Sequence, residues 1–411
     1  MIKRIAYLSI HTCPLARPGS GDAGGMNVYI DGLARTMARR GVQVEVFTRQ
    51  NEEGGEGVVE VEEGYRVVHV DLGPANGDLS KSISEFTDGV LTWAAENGAV
   101  YDVVHSHYWL SGWAGVVLQD RLGVPLAISF HTLGRVKNAT RRKDDVPASL
   151  FRIATETEVI ARAGCVVSSS PSEAAELIEH YRADPERLCL SPPGVDHSRF
   201  HPGDRAAART ALGLVTEGPL VLFAGRVQPL KGLDVAINAF AGVAAVYPDA
   251  KMAVLGGASG ERGPAEVAAM LDLVAELGLA DRVSFHPPLP HDQVPVAYRA
   301  SDVLIAPSRS ESFGLVAAEA QACGIPVVAA RVGGLEHVVA DGETGYLIEG
   351  WDPADYAAAI NRLLGDPDLA AGMAEAAVLG SSRFSWSATA NRLLELYSGL
   401  VEGMRDSAPE P

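Results

Sequence analysis

A single order of elements occurs twice in this chain and limits what it can fold into. A short apolar run is followed by a glycine- or proline-rich turn and then by an amphipathic helix pattern. Residues 3–10 read as a strand, 17–27 as a glycine loop, 28–41 as a helix closed by Gly41, and 42–49 as the next strand. Further apolar runs at 65–72, 102–107, 125–131 and 164–170 have helical stretches between most of them. Alternation of this kind predicts a parallel sheet covered by helices. Residues 186–204 are dense in Pro, Gly and His and read as a connection. The order then restarts with strands at 219–226, 251–257, 282–289, 302–308, 325–330 and 344–350.

The expected architecture is therefore α/β, with two Rossmann-like domains facing each other across a deep cleft. The boundaries are 1–196 and 197–386, and a last amphipathic helix at about 387–405 packs back on the first domain. A length of 411 residues suits two cores better than one. In open parallel sheets ligands sit beyond the carboxyl ends of the strands, which puts the site between the two domains.

Charge and composition remove other classes. The net charge of −18 argues against a nucleic-acid binder and against docking on an anionic membrane. No apolar run reaches the length of a membrane span. Polar Ser9, His11 and Thr12 break the first apolar run, so it reads as a strand and not a signal peptide. Cys13, Cys165, Cys189 and Cys323 are widely spaced and suggest neither a zinc site nor a disulfide framework. The expectation is a reduced, cytoplasmic protein.

Four segments carry chemistry. In the loop from Gly19 to Asn27, Gly24 and Gly25 open a helix whose free amides suit an anion. It fits neither a GxGxxG dinucleotide loop nor a P-loop. Arg226 and Lys231 follow the first strand of the second series, and a planar cation beside a point cation suits a diphosphate. In the run from Pro307 to Glu319, Phe313, Gly314, Leu315 and Val316 stand where a helix begins and offers N–H groups to phosphate. Glu311 precedes that helix and Glu319 lies on it about two turns after Glu311, so the two carboxylates are placed to grip different hydroxyls. His131 and Thr132 end an apolar strand, with Arg135, Lys137, Arg141, Arg142 and Lys143 beyond them, the distal three reading as readily as a solvated loop. His105 and His107 end another strand; with no third ligand at suitable spacing they are expected as a polar cleft wall beside Tyr108. Asp366-Pro367-Asp368 imitates a metal-binding DxD but stands in turn context.

Together these motifs resemble the retaining glycosyltransferases of family 4, which adopt the GT-B fold. The likeness runs from Ile5 to about Tyr397 and rests on Glu311 and Glu319 with Ser-Phe-Gly-Leu between, and on Gly225-Arg226 with Lys231-Gly232. Within the family, Gly21-Asp22-x-Gly24-Gly25-Met26-Asn27, Ser106-His107-Tyr108-Trp109 and His131-Thr132-Leu133 are similar to the branch that glycosylates an inositol phosphate in mycothiol synthesis. The resemblance implies a UDP-sugar, most simply UDP-N-acetylglucosamine, held by Arg226, Lys231, Glu311, Glu319, the amides of Gly24 and Gly25, and those of Phe313 to Val316. His131 would meet the sugar near its 6-hydroxyl. His131, Arg226, Lys231 and Glu311 would be the catalytic set. Asn27, Lys81, Tyr108, Thr132 and Arg152 would hold a phosphorylated cyclitol such as 1D-myo-inositol 3-phosphate. No cofactor is implied as necessary, Mg2+ is not indicated, and a homodimer is suggested.

Two alternatives stand beside this reading. The run His131-x-Leu133-Gly134-Arg135 is similar to sucrose-phosphate synthases, which implies UDP-glucose with a sugar phosphate or another cyclitol as acceptor. A two-domain protein that closes on a sugar without reacting fits the layout but leaves the diphosphate-type cations unexplained.

Overall fold

The computed structural model describes residues 1–50, 57–72, 79–143, 145–213, 218–260 and 262–407. The described residues form two sheets. The first has β1 (Arg4–Leu8), β2 (Gln43–Arg49), β3 (Val58–Glu62), β4 (Tyr65–Val70), β5 (Val103–His107), β6 (Leu126–Ser129), β7 (Cys165–Ser168) and β8 (Leu188–Leu190). They are ordered β3-β4-β2-β1-β5-β6-β7-β8. The second has β9 (Leu220–Ala224), β10 (Lys251–Leu255), β11 (Val283–His286), β12 (Val303–Ala306), β13 (Val327–Ala330) and β14 (Gly345–Ile348), ordered β11-β10-β9-β12-β13-β14. All pairings are parallel except β3 with β4.

Apart from the edge strand β3, both faces of each sheet are largely buried, as crossover helices require. Along β1, Ile5 and Tyr7 join one apolar cluster while Ala6 and Leu8 join the cluster on the opposite face. Along β9, Val221 and Phe223 face one cluster, Leu220 and Leu222 the other. The helix Trp386–Ser407 returns to the first domain, where Ala390, Leu393 and Tyr397 share a cluster with Tyr7, Ile30 and Leu33. Gly32 makes room for this return, since a Cβ there would lie 2.6 Å from the Trp386 ring.

Three local readings change. Residues 188–190 lie in the segment read as a connection, yet they pair with β7 as the eighth strand. The basic stretch after His131 begins with a helix, Gly134–Thr140. Cys165 and Cys189, expected unpaired, form a disulfide between β7 and β8, with Cα atoms 5.9 Å apart. Twenty-four residues separate them along the chain, and only the strand pairing brings them together. Asp366 caps the helix Pro367–Ser381, its Oδ1 accepting from the Leu369 amide at 3.0 Å. No helix among the described residues is long and apolar enough to cross a membrane.

Each sheet reverses direction once. In the first, β1 lies between β2 and β5; in the second, β9 lies between β10 and β12. Such switch points leave a crevice at the strand carboxyl ends. The two crevices face each other and enclose a cavity of about 290 Å³.

Candidate active site

The cavity is lined from both sheets. Gly24 ends the loop after β1 and Gly25 begins the helix Gly25–Ala38, Tyr108 follows the end of β5, and His131 and Thr132 follow the end of β6. Arg226 and Lys231 follow β9, and Glu311 and Phe313–Val316 follow β12, with Glu319 on the next helix. Tyr108 and His131 both have left-handed backbones, with φ of 75° and 60°. Non-glycine residues in that region cost on the order of 1–3 kcal/mol and persist where the surroundings hold them. The Tyr108 amide donates to the Ser129 carbonyl (2.9 Å), and Ser312 Oγ of the second domain donates to the His131 carbonyl (3.0 Å). These bonds hold both backbones in that conformation, and the Ser312 bond joins the two domains.

On the second-domain side, Lys231 Nζ lies 2.5 Å from Glu311 Oε2. Arg226 Nη1 donates to the Asp22 carbonyl of the first domain (3.3 Å) and to Ser259 Oγ (3.2 Å). Burial lowers the Arg226 pKa, against the pull of Asp22, Tyr108 and Glu311, so its charge lacks full compensation. Gly314 precedes the helix Leu315–Ala322 with a φ of 100°, and no side chain caps that helix. Its first amides are left for an anion, as helix N-termini allow. A Cβ at Gly314 would lie 2.8 Å from Leu335, so glycine is required there. Glu319 is 6% exposed and accepts from His291 Nε2 (2.8 Å) and from Tyr298 Oη (3.0 Å). Although burial opposes the His291 charge, Glu319 outweighs it and raises the pKa.

On the first-domain side, Arg152 Nη1 donates to Tyr108 Oη (2.9 Å), and Nη2 to the Thr132 carbonyl (2.9 Å) and Oγ1 (3.2 Å). Its Nε donates to Glu156 Oε1 at 2.7 Å. The fully buried Glu156 also accepts from the Gly134 amide and the Tyr181 hydroxyl. Arg152 thus arranges Tyr108 and Thr132 from behind and is not itself a lining residue.

Asn27 is likewise kept from the cavity. Its Oδ1 accepts from the Gly24 amide (2.9 Å), and its Nδ2 donates to Thr12 Oγ1 (3.1 Å) and the Cys13 carbonyl (2.5 Å). It shapes the glycine loop from beneath. Lys81 stands exposed in the turn Leu79–Ser82 and does not line the cavity.

His105 and His107, expected as a cleft wall, are completely buried instead. They form a layer beneath His131, with His107 Nδ1 3.1 Å from His131 Nε2. Alternate residues of a strand point to one face, so both turn inward together. Burial pushes His105 and His131 down to about 3 and His107 well below its ordinary value, so all three are neutral near pH 7. Other lining groups carried no local signal in the sequence: His11, Glu173 and Glu176 from the first domain, and His291 and Tyr298 from the second. His11 Nε2 approaches Asp22 at 3.7 Å. Burial beside Glu173 raises Glu176 to about 7.

Comparison with known proteins places the chain among glycosyltransferases. Residues 204–379 match the glycosyl transferases group 1 family, and 24–194 match the glycosyl transferase 4-like domain. The chain is 47% identical to a D-inositol 3-phosphate glycosyltransferase 2 of Catenulispora acidiphila, covering 98% of this chain and 96% of that one. It is 45% identical to a D-inositol 3-phosphate glycosyltransferase of Streptomyces scabiei, covering 98% and 92%. Among solved structures, a sucrose-phosphate synthase from Thermosynechococcus elongatus is 32% identical with a TM-score of 0.90, over 98% of this chain and all of that one. HepE of Anabaena, in complex with UDP and glucose, shares the fold at a TM-score of 0.79 and 22% identity, over 97% of this chain and all of that one.

Proposed function

We propose, from the premise that this chain belongs to the retaining GT-B glycosyltransferases of family 4, that it moves N-acetylglucosamine from UDP-N-acetylglucosamine to an inositol phosphate. The observation that carries the acceptor is relatedness along nearly the whole length to proteins named D-inositol 3-phosphate glycosyltransferase. The donor reading is supported by Arg226, Lys231 and the uncapped helix at Leu315, which converge on one cavity and suit a diphosphate.

In the reaction, the bond from the sugar anomeric carbon to the β-phosphate oxygen breaks and UDP leaves. The acceptor hydroxyl oxygen forms the new bond on the same face. Its proton passes to the departing phosphate oxygen, which balances the charge. Arg226, Lys231 and the helix amides stabilise the charge that grows on that phosphate, a contribution that is commonly the largest in such sites. His131 is neutral at working pH and acts as a hydrogen-bonding group toward the sugar, not as an acid. Tyr108 and Thr132, arranged by Arg152, face the acceptor. Contacts between the domains, such as the Gly257 amide to the Gly19 carbonyl (3.0 Å), close the cavity around both substrates.

The similarity to sucrose-phosphate synthase keeps UDP-glucose and a sugar phosphate as the second reading. A panel of UDP-N-acetylglucosamine and UDP-glucose against inositol 3-phosphate and fructose 6-phosphate, followed by UDP release, tests both. Release only with the first donor and the inositol phosphate is expected. Release only with UDP-glucose and fructose 6-phosphate would replace this reading with the second.

A further inference from the structure

His107 makes one contact that the transfer reaction as described does not use. Its Nδ1 faces His131 Nε2 at 3.1 Å, with the ring centroids 5.4 Å apart and the planes inclined by 30°. Its other nitrogen, Nε2, is buried and has no hydrogen-bond partner. Around the His107 ring stand those of Tyr7, Tyr29 and His105, at centroid distances of 5.3, 5.7 and 4.4 Å. His131 lines the cavity while its Nε2 is turned inward, which leaves Nδ1 as the nitrogen available to a ligand.

One proton sits between the two facing nitrogens, because two neutral rings cannot both donate there or both accept. That leaves two arrangements. If His131 Nε2–H donates, His107 must carry its own proton on Nε2, buried with no acceptor. If His107 Nδ1–H donates, Nε2 keeps only an unused lone pair. A buried N–H without a partner is the rarer and costlier defect. The second arrangement puts the proton of His131 on Nδ1.

We infer that His107 is a positioning residue that holds His131 as its Nδ1–H tautomer, so that His131 offers a neutral N–H to an oxygen of the transferred sugar. The tautomer of one ring nitrogen is set by the bond that the other makes. The left-handed backbone at His131 and the Ser312 bond to its carbonyl hold the ring in place, and His107 sets the direction of its hydrogen bond. The consequence is a site that demands an oxygen acceptor on the sugar at that point. This rests on the UDP-sugar reading above, with the 6-hydroxyl as the oxygen concerned.

Two measurements test it. In the free enzyme labelled with 15N-histidine at pH 7, NMR is expected to find His131 protonated on Nδ1; protonation on Nε2 overturns the inference. In activity assays, UDP-N-acetylglucosamine and its 6-deoxy analogue are compared as donors. His107→Leu is expected to lower kcat/KM for the natural donor about tenfold, the scale of one hydrogen bond, while the deoxy donor is unchanged. His107→Asn, whose amide N–H can replace Nδ1–H, is expected to keep the preference and the tautomer. Equal losses on both donors in His107→Leu, or loss of the preference in His107→Asn, overturn it. If His107→Leu does not fold, the labelled wild type and His107→Asn decide. If the wild type uses neither donor, the UDP-sugar reading fails, and the tautomer is still decided by the spectrum.

Discussion

Lys231 and Glu311 face each other across 2.5 Å at the floor of the cavity, although each is a group that a nucleotide sugar would claim. The two side chains are 23% and 20% exposed, so their mutual attraction is partly screened. A diphosphate entering beside them competes with Glu311 for the ammonium.

Replacing Lys231 with Ala therefore damages catalysis far more than folding. We expect kcat to fall by ~10²–10³, the usual effect of removing one group that stabilises growing charge. The melting temperature should move less than for Arg152→Ala, since the Lys231–Glu311 pair keeps part of its surface in water while Glu156 is fully buried. UDP release and a thermal scan on the same preparation check this; unchanged turnover removes Lys231 from the site.

The opposite balance holds for Arg152. It is 8% exposed and bonded to Glu156, which is fully buried. Arg152→Ala leaves that carboxylate without its cation, which costs roughly 3–5 kcal/mol for buried pairs. Urea denaturation is expected to show the loss, together with a raised acceptor KM as Tyr108 and Thr132 lose their anchor. A stable variant altered only in KM would make Arg152 a direct acceptor ligand.

Acid should unfold the first domain early. His105 and His131 are held down to about 3 by burial, and His107 is also lowered, whereas unfolded histidine titrates near 6.5. Below pH ~6.5 the unfolded chain binds protons that the folded chain refuses, so stability falls as pH drops toward 4.5. The loss is on the order of several kcal/mol for three such groups. His105→Gln is expected to flatten the slope, as followed by denaturation between pH 7 and 4.5.

Gly24 places no strain on its own backbone, with φ of −165°, yet a side chain there would meet Arg226. A Cβ would stand 3.1 Å from Arg226 Nε. Gly24→Ala should push the guanidinium from its bonds to Asp22 and Ser259 and lower kcat/KM for the donor about tenfold, with little change in melting temperature. Normal donor kinetics would show that Arg226 has room to move.

These effects trace what could be read from the chain alone. The strand-turn-helix alternation located both sheets, because burial on two faces makes each parallel strand a plain apolar run. Lys231, Glu311 and the helix at Leu315 were readable because each sits beside a strand end with a glycine signal. Residues 188–190 were hidden by the prolines and glycines that follow them. His291 and Tyr298 carry no local pattern, and their link to Glu319 exists only once the helix Val294–Ala300 packs against the helix that bears it. His107 looked like a cleft residue because its neighbour Tyr108 is one, but strand alternation turns it inward. Arg152 and Asn27 were recognisable as belonging near the site, while their work as supports became visible only through their partners.

The proposed reaction moves N-acetylglucosamine to an inositol phosphate with retention. Its most direct test is a reaction of the purified protein with UDP-N-acetylglucosamine and 1D-myo-inositol 3-phosphate, with the product analysed by mass and by the NMR coupling at its anomeric carbon. A single N-acetylglucosaminyl inositol phosphate with the α configuration of the donor is expected. Absence of transfer to the inositol phosphate, or a β-linked product, would contradict it.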